Sequence, residues 1–255
     1  MFTFKQPIKS LRPALILGTL CLATLVGTVV LTSTVEAQRG QSFGLGMSSS
    51  STTAGATRGT LPPVLLLVPP DGARTLSARP TLYWYVSPTE SQTKQPFQTR
   101  FFLRETPLAD SKALFDVKGT AQELGLYKFK LPDSAPSLVA GKVQRLHLRW
   151  TVGENVLNLN APVLLEVNPS VVKAVSEASS GLEKARILAK ELYWYDALDA
   201  YTKWLETNPK DETAIKERNA LLLEGFKSSE LKAEVVDELL CKLTRNSTTH
   251  QMELK

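Results

Sequence analysis

The stretch Val143-Gln144-Arg145-Leu146-His147-Leu148-Arg149-Trp150-Thr151-Val152 alternates between polar and large apolar side chains from Arg145 onward. A period of two residues predicts a β-strand with one buried face and one outward face. The apolar members of the stretch then point into a core. The outward face of the same strand carries Arg145, His147 and Arg149.

Similar runs lie on both sides of this strand, separated by turns that contain Gly, Pro, Asn or Asp. The predicted strands are Val64–Val68, Thr81–Val86, Phe97–Glu105, Ala113–Val117, Leu126–Leu131, Val143–Val152 and Val156–Val167. Gly119 and the pair Asp71-Gly72 are interpreted as breaks between them. Seven short strands of this kind predict an antiparallel β-sandwich over residues 61–168.

From Pro169 onward the apolar period becomes helical, and Ala, Leu, Glu and Lys dominate. Five helices are predicted: 169–178, 182–192, 194–207, 211–226 and 229–243. They form a helical region over residues 169–243, and the polar residues 244–255 are predicted to be a flexible tail. The predicted fold class is therefore α+β, with an N-terminal Ig/fibronectin-III-like β-sandwich followed by a C-terminal helical array.

The N-terminus has the pattern of a secretory signal peptide. Three basic residues without an acid are followed by an apolar run over 14–31 and by small residues up to Ala37. Residues 1–37 are predicted to be a signal peptide that is cut between Ala37 and Gln38. The alternative is an uncleaved anchor, since the apolar run is just long enough to span a bilayer. A lipid anchor on Cys21 is disfavoured, because the bulky Leu20 precedes it.

Residues 38–60 are rich in Gly, Ser and Thr and have no apolar period, so they are predicted to be a disordered tether. Cleavage would leave Cys241 as the single cysteine, which excludes an internal disulfide and favours a bacterial periplasm or cell envelope. Removing three basic residues and one acid from a chain of net charge +5 leaves +3. That charge is too small to predict nucleic-acid binding.

The sequence offers no recognisable catalytic or metal-binding motif. His147 lies in mid-strand between leucines, without a nucleophile elbow nearby. No catalytic residue, metal site or cofactor is therefore predicted. The aromatic residues on the strands are also interpreted structurally: Trp84 and Trp150 are expected to pack against each other in the core. Tyr83 and Tyr85 point the other way and are the expected exposed pair.

One cluster of basic and aromatic side chains suggests that the protein binds a partner. If Phe101 and Leu103 face inward, the other face of their strand is outward. That outward face carries Arg100, Phe102 and Arg104. The strand of Arg145, His147 and Arg149 is expected to lie beside it. Like charges on neighbouring strands cost stability, so something should compensate for them. One explanation is a cover of acidic helical side chains, namely Glu183, Glu191 and Asp196. The other is an anionic partner such as phospholipid headgroups, lipopolysaccharide or acidic polysaccharide.

Two resemblances extend this interpretation. Three features follow one another along the chain. They are the segment Arg79-Pro80-Thr81-Leu82-Tyr83-Trp84-Tyr85, the strand Leu146–Trp150 and the run Tyr193-Trp194-Tyr195-Asp196-Ala197-Leu198. Together they resemble the bacterial family catalogued as domain of unknown function 928, found mostly in cyanobacteria, over roughly residues 61–226. The resemblance implies an exported envelope protein with a sandwich followed by helices, and it brings no known activity.

The segment 182–226 also resembles a degenerate tetratricopeptide repeat. Ala197, Tyr201 and Pro209 match the pattern of its second helix, whereas Trp204 stands where that repeat has a small residue. No second copy follows at the expected period.

The sequence thus predicts a non-enzymatic binding or scaffolding module of the cell envelope, with a protein or an anionic envelope glycan or lipid as its partner. The alternative is an envelope enzyme with a site in the cleft between sandwich and helices, near His147. Contact with a membrane is expected only through an uncleaved N-terminal segment.

Overall fold

The computed structural model describes residues 42–47, 64–87, 97–108, 110–152, 155–227, 229, 231–246 and 248–254. Residues 40–255 form one compact unit. The predicted signal peptide lies outside the described residues, as does the predicted tether apart from residues 42–47.

Ten strands are described, and all seven predicted strands are among them. They are β1 (Val64–Leu66), β2 (Ala73–Thr75), β3 (Thr81–Val86), β4 (Phe97–Arg104), β5 (Ala113–Ala121), β6 (Gly125–Lys130), β7 (Val143–Val152), β8 (Asn155–Leu165), β9 (Thr249–Gln251) and β10 (Glu253–Leu254). Five helices follow β8, so the chain is a mixed α+β protein.

The strands form two sheets. The four-stranded sheet has the order β1-β3-β6-β9, and the six-stranded sheet has the order β10-β5-β4-β7-β8-β2. Pairing is antiparallel, as predicted, except that β2 runs parallel to β8 and β9 runs parallel to β6. The parallel pairs lie at sheet edges and join segments that are remote in the chain.

Three of these strands were not predicted. Strand β2 follows the Asp71-Gly72 turn, where the Gly72 amide donates to the Pro69 carbonyl at 3.0 Å. Strands β9 and β10 occupy the segment expected to be a flexible tail, and Met252 between them is 3 % exposed. Runs of two or three residues carry no measurable period, so only tertiary pairing identifies them.

Strand β5 continues through Gly119, where the sequence predicts a break. Gly119 pairs with Thr99 of β4 on one side and with Leu254 of β10 on the other. Hydrogen bonding on both sides holds the strand extended beyond Val117.

The core lies between the two sheets. Trp84 of β3 and Trp150 of β7 meet edge to face with ring centroids 6.4 Å apart, which confirms their predicted packing. Phe101 of β4 and Phe129 of β6 make a second contact across the sheets at 4.2 Å.

The helices are α1 (Pro169–Glu177), α2 (Gly181–Lys190), α3 (Trp194–Thr207), α4 (Glu212–Phe226) and α5 (Ala233–Arg245). These bounds confirm the five predicted helices; the largest shift is at the start of α5. Asn168, Ser180 and Asp211 cap α1, α2 and α4, each accepting a bond from a backbone amide of the first turn. Among the described helices, none is long and apolar enough to cross a bilayer.

Helices cover the outer face of the four-stranded sheet, which overturns the prediction that Tyr83 and Tyr85 are exposed. Tyr83 is 1 % exposed, and its hydroxyl donates to Asp199 of α3 at 2.9 Å. Tyr85 is 8 % exposed, and α5 lies against the neighbouring strand β6. Burial and the nearby Asp199 carboxylate raise the pKa of Tyr83. Period-two alternation shows that a strand has two faces, but it does not show that both are covered.

Helix α3 touches both sheets. Its Trp194 donates from Nε1 to the carbonyl of Leu67 at 2.9 Å, and its Tyr195 hydroxyl donates to the carbonyl of Pro162 at 3.2 Å. The strands and helices therefore share a single hydrophobic core.

Part of the predicted tether is ordered against this core. Phe43 is 7 % exposed and packs edge to face on Trp194 at 5.2 Å, and the Gly46 amide donates to Asp71 at 2.9 Å. A large apolar side chain within a Gly/Ser segment gives the segment a reason to dock, because its burial offsets the chain entropy.

Candidate functional site: the arginine face

Strands β4 and β7 lie side by side, as predicted, and bring six predicted residues together on the outer face of the six-stranded sheet. Three cross-strand pairs form it: Arg100 faces Arg149, Phe102 faces His147, and Arg104 faces Arg145. We call these six residues the arginine face. Directly opposite residues on antiparallel strands have Cα atoms about 4.5–5.5 Å apart, so two pairs of like charges are forced together.

Phe102 is the centre of the arginine face. The guanidinium carbons of Arg100, Arg104 and Arg149 lie 4.8, 5.5 and 5.8 Å from the centre of its ring. The His147 ring meets Phe102 edge to face at 5.2 Å. The electron-rich face of the phenyl ring attracts these cations and reduces the cost of their proximity.

His147 is held by two amide side chains. Its Nδ1 lies 2.7 Å from Asn160 Oδ1, and its Nε2 lies 3.3 Å from Asn158 Oδ1. Burial lowers the pKa of His147, and the charges of Arg104 and Arg149 act in the same direction. The ring therefore favours its neutral form at neutral pH. Its described partners are amides rather than a nucleophile or an orienting carboxylate.

The Arg100 end of the face has a counter-charge. Arg100 donates from Nε to Asp116 Oδ1 at 2.7 Å and makes a second bond from Nη2 to the other oxygen. This paired arrangement lowers the pKa of the Asp116 carboxyl. Across the strand pair, Arg149 donates from Nε to Asn158 at 3.1 Å.

The Arg104 end differs, because neither arginine there forms an ion pair with a carboxylate of the described residues. Arg104 donates from Nη1 to the Ser111 carbonyl at 2.6 Å, and Arg145 makes a long contact of 3.5 Å to Asn160. The Nε atoms of both are buried without an acceptor in the structure. Arg145 is 6 % exposed, and burial together with the Arg104 charge lowers its pKa.

The acidic cover considered for this face is not present. Asp196 accepts from Thr75 Oγ1 and from the Leu76 amide, both at 2.8 Å, and Glu183 accepts from the Ser179 amide at 2.7 Å. Glu191 is exposed on the surface. Compensation comes instead from the flanking strands, through Asp116 of β5 and through Asn158 and Asn160 of β8.

Sequence reasoning missed these three residues, although a signal for two of them was available. Asn158 and Asn160 occupy alternate positions of β8, so they share its outward face. Their register with Arg149 and His147 follows from the β7–β8 hairpin. To place Asp116 at the arginine face, the β4–β5 register is needed as well, because in that register Asp116 stands opposite Phe102.

The helices form a separate groove of about 430 Å³. Leu188 of α2 and Trp204 of α3 line it together with Lys184, Asp199 and Lys203, and no residue of the arginine face contributes. Among the residues that the structure describes, no group of His, Cys, Asp and Glu side chains is arranged to hold a metal ion.

Comparison with known proteins places the chain in a family. No curated protein matches it. The model of the family described as Domain of Unknown Function (DUF928) matches residues 52–238. Because this match covers well over half of the 255 residues, the chain belongs to the DUF928 family.

Proposed function

We propose that this protein is a non-enzymatic binding module of the cell envelope that holds an anionic partner on its arginine face. The N-terminal leader pattern supports export, and the single cysteine left after cleavage suits a periplasmic location. In this proposal the chain acts by binding rather than by catalysis.

The observation that carries the proposal is the charge of the arginine face. Four guanidinium groups share one sheet face, and among the residues that the structure describes Asp116 is the one carboxylate paired with them. The other contacts in the described part of the chain are neutral amide and carbonyl oxygens, which accept hydrogen bonds, and a phenyl ring. None of these groups carries a negative charge. A concentrated positive field of this kind attracts an anion and speeds its association.

The architecture supports a scaffold role. We interpret the two packed sheets as an Ig/fibronectin-III-like sandwich and the α2–α3 hairpin as tetratricopeptide-like. The large Trp204 of α3 is accommodated by Gly181 of α2, where an added Cβ would lie 3.2 Å from the Trp204 ring. Both kinds of module present rigid surfaces to partners, although fold alone does not define a partner.

The proposal is tested with dextran sulfate, a soluble polyanion, and the chain from Gln38 to Lys255. We expect a variant with Arg100, Arg104, Arg145 and Arg149 changed to Ser to bind at least about 30-fold more weakly. The slope of log Kd against log salt should also fall by about 3, because the variant neutralises four fewer sulfate groups and therefore releases fewer counterions from the dextran sulfate. Fluorescence anisotropy with labelled dextran sulfate measures both quantities.

The matched control removes the same charge elsewhere, by changing the exposed Lys130, Lys210, Lys216 and Lys232 to Ser. Its affinity should stay within about threefold of the parent chain, since these lysines lie outside β4 and β7, which form the arginine face. Circular dichroism verifies that both variants are folded. The proposal is wrong if the parent chain does not bind, or if both variants lose affinity equally.

A further inference from the structure

The two ends of the arginine face are chemically different. At one end Asp116 neutralises Arg100, whereas at the other end the facing pair Arg104 and Arg145 has no carboxylate among the described residues. Each Nε of this pair is buried without an acceptor, which is costly for a charged donor. The Nη2 atoms of both residues donate to no atom of the described chain. A bound oxyanion would supply the missing charge and an acceptor for the Nη2 atoms, which are not fully buried as the Nε atoms are.

The same end of the six-stranded sheet carries exposed apolar side chains on three connections. Leu108 lies after β4 and is 64 % exposed, Val139 lies before β7 and is 52 % exposed, and Val167 lies after β8 and is 56 % exposed. In an antiparallel sheet these three positions fall at one end, because β4 and β8 end where β7 begins.

Polar contacts join these connections to one another. Lys142 before β7 pairs with Glu105 after β4 at 3.1 Å. The Gly141 amide donates to the carbonyl of Leu165 at 2.9 Å. The three apolar side chains therefore lie on joined connections at the same end of the sheet as the Arg104–Arg145 pair, and we call Leu108, Val139 and Val167 the apolar rim.

Acidic groups beside the rim are largely neutralised within the protein. Glu105 is paired with Lys142, and Glu166 is paired with Arg74 at 3.7 Å. Asp110 and Lys112 carry opposite charges on one connection. The Arg104–Arg145 pair then dominates the charge of this end.

We propose that this end of the molecule is a membrane-contact site, in which Arg104 and Arg145 hold a phosphate of an anionic phospholipid while the apolar rim enters the acyl boundary. The proposal rests on the proposed anion-binding role of the arginine face and specifies its partner. Planar guanidinium groups suit phosphate oxygens, and the Nη2 group of each residue is left to donate to one. The two residues stand directly opposite each other on β4 and β7, with Cα atoms about 5 Å apart, so both charges lie at the same end of the face.

The apolar rim is what favours a lipid surface over a soluble acidic polymer. A sulfated or uronate glycan offers no apolar environment to Leu108, Val139 or Val167. Basic residues beside exposed aliphatic ones are the pattern of proteins that lie at a membrane interface. Attraction to the surface charge and burial of apolar area then act together.

The test measures partition of residues 38–255 onto vesicles of equal parts phosphatidylglycerol and phosphatidylcholine. The variant R104Q/R145Q should partition about 30-fold more weakly. Its matched control R100Q/R149Q removes the same charge from the other end of the same face. That control should lose less than about threefold, because Asp116 already neutralises Arg100 and Arg149 lies farther along β7 from this end of the sheet than Arg145 does.

A second pair of variants separates the apolar contribution. L108S/V139S should lose about tenfold on these vesicles and keep the parent affinity for dextran sulfate. The control V156S/L223S changes two side chains that are also exposed but lie elsewhere, and it should match the parent chain on both ligands. Pure phosphatidylcholine vesicles should bind weakly.

The outcomes distinguish this inference from the proposed function. If the parent chain binds dextran sulfate through its arginines but does not bind the anionic vesicles, the membrane site is wrong and the anion-binding face stands. Equal losses from the two arginine pairs, or no loss from L108S/V139S, would also overturn the membrane site. If the parent chain binds neither ligand, both proposals fail.

Discussion

Asp196 shows how strongly one buried side chain depends on its neighbours. It lies in the first turn of α3, and its carboxylate accepts two hydrogen bonds from the end of β2. Those bonds favour the charged form, but burial outweighs them and raises the pKa of Asp196 to about 6. The residue thus ties a helix to the six-stranded sheet at an electrostatic cost that depends on pH.

The first prediction concerns Asp196→Asn. Between about pH 4 and pH 6 the folded protein holds a proton on Asp196 that the unfolded chain has lost. The free energy of unfolding therefore falls as pH rises through this window, by about 3 kcal/mol, and levels off above it. An Asn side chain still accepts from Leu76 and Thr75 without a charge. We expect the substitution to remove this fall, as measured by urea unfolding at a series of pH values.

The control for this prediction is Asp110→Asn, at an exposed position on the β4–β5 connection. It should leave the pH dependence of the parent chain intact. A profile for Asp196→Asn that still falls between pH 4 and pH 6 would show that another group is responsible.

Among the secondary-structure elements, α3 and α4 depend on one close approach. The Trp194 ring of α3 lies where a Cβ on Gly225 of α4 would be, so that an added methyl group would overlap the ring. Trp194 is fully buried, bonded to Leu67 and packed on Phe43. The ring cannot retreat without breaking these contacts.

The second prediction is that Gly225→Ala destabilises the fold by about 1–3 kcal/mol, through overpacking. Helix propensity alone predicts the opposite sign, because Ala stabilises a helix interior by about 1 kcal/mol relative to Gly. Thermal unfolding followed by circular dichroism decides between the two. Leu223→Ala, on the exposed side of the same helix, serves as the control and should change stability by less than about 0.5 kcal/mol.

At the scale of the whole molecule, strands and helices are joined through a shared core. Tyr83 of the four-stranded sheet bonds to Asp199 of α3, and Thr75 of the six-stranded sheet bonds to Asp196 of the same helix. Helix α3 also places Trp194 and Tyr195 in the common core. Removing the helices would expose the tyrosine face of β3 to water.

The third prediction follows from this shared core. In a urea titration of residues 38–255, the far-ultraviolet circular dichroism of the helices and the fluorescence of the buried tryptophans should change with one midpoint. Hydrogen exchange should protect the amides of α3 and of β3 to a similar degree. Loss of the helical signal at a lower urea concentration than the fluorescence change would contradict a single unit.

Much of this fold could be predicted because its strands are half-buried. The alternation in β7 and β4 identifies two strands and places Arg100, Arg104, Arg145 and Arg149 on one side of them. The register then aligns them in facing pairs. The five helices were predictable for a similar reason, since each carries its own apolar period and three begin at capping residues.

Other features depend on what packs against a segment, and a local pattern does not contain that information. Alternation in β3 suggested an exposed Tyr83, but helices distant in sequence cover it. Residues 42–47 belong to a segment whose composition predicts disorder, yet Phe43 packs against Trp194. Short strands such as β9 and β10 exist only because an edge is available for pairing.

The arginine face likewise has features that the sequence predicts and features that depend on the tertiary structure. The sequence alone determined which three residues of each strand share a face, because a period of two residues leaves no other arrangement within a strand. The structure then placed β4 beside β7. Only the tertiary structure decided that Asp116 neutralises one end while Arg104 and Arg145 have no counter-charge among the described residues at the other. The reason is physical: side-chain direction is a local property of a strand, whereas charge compensation depends on which strands become neighbours and in which register.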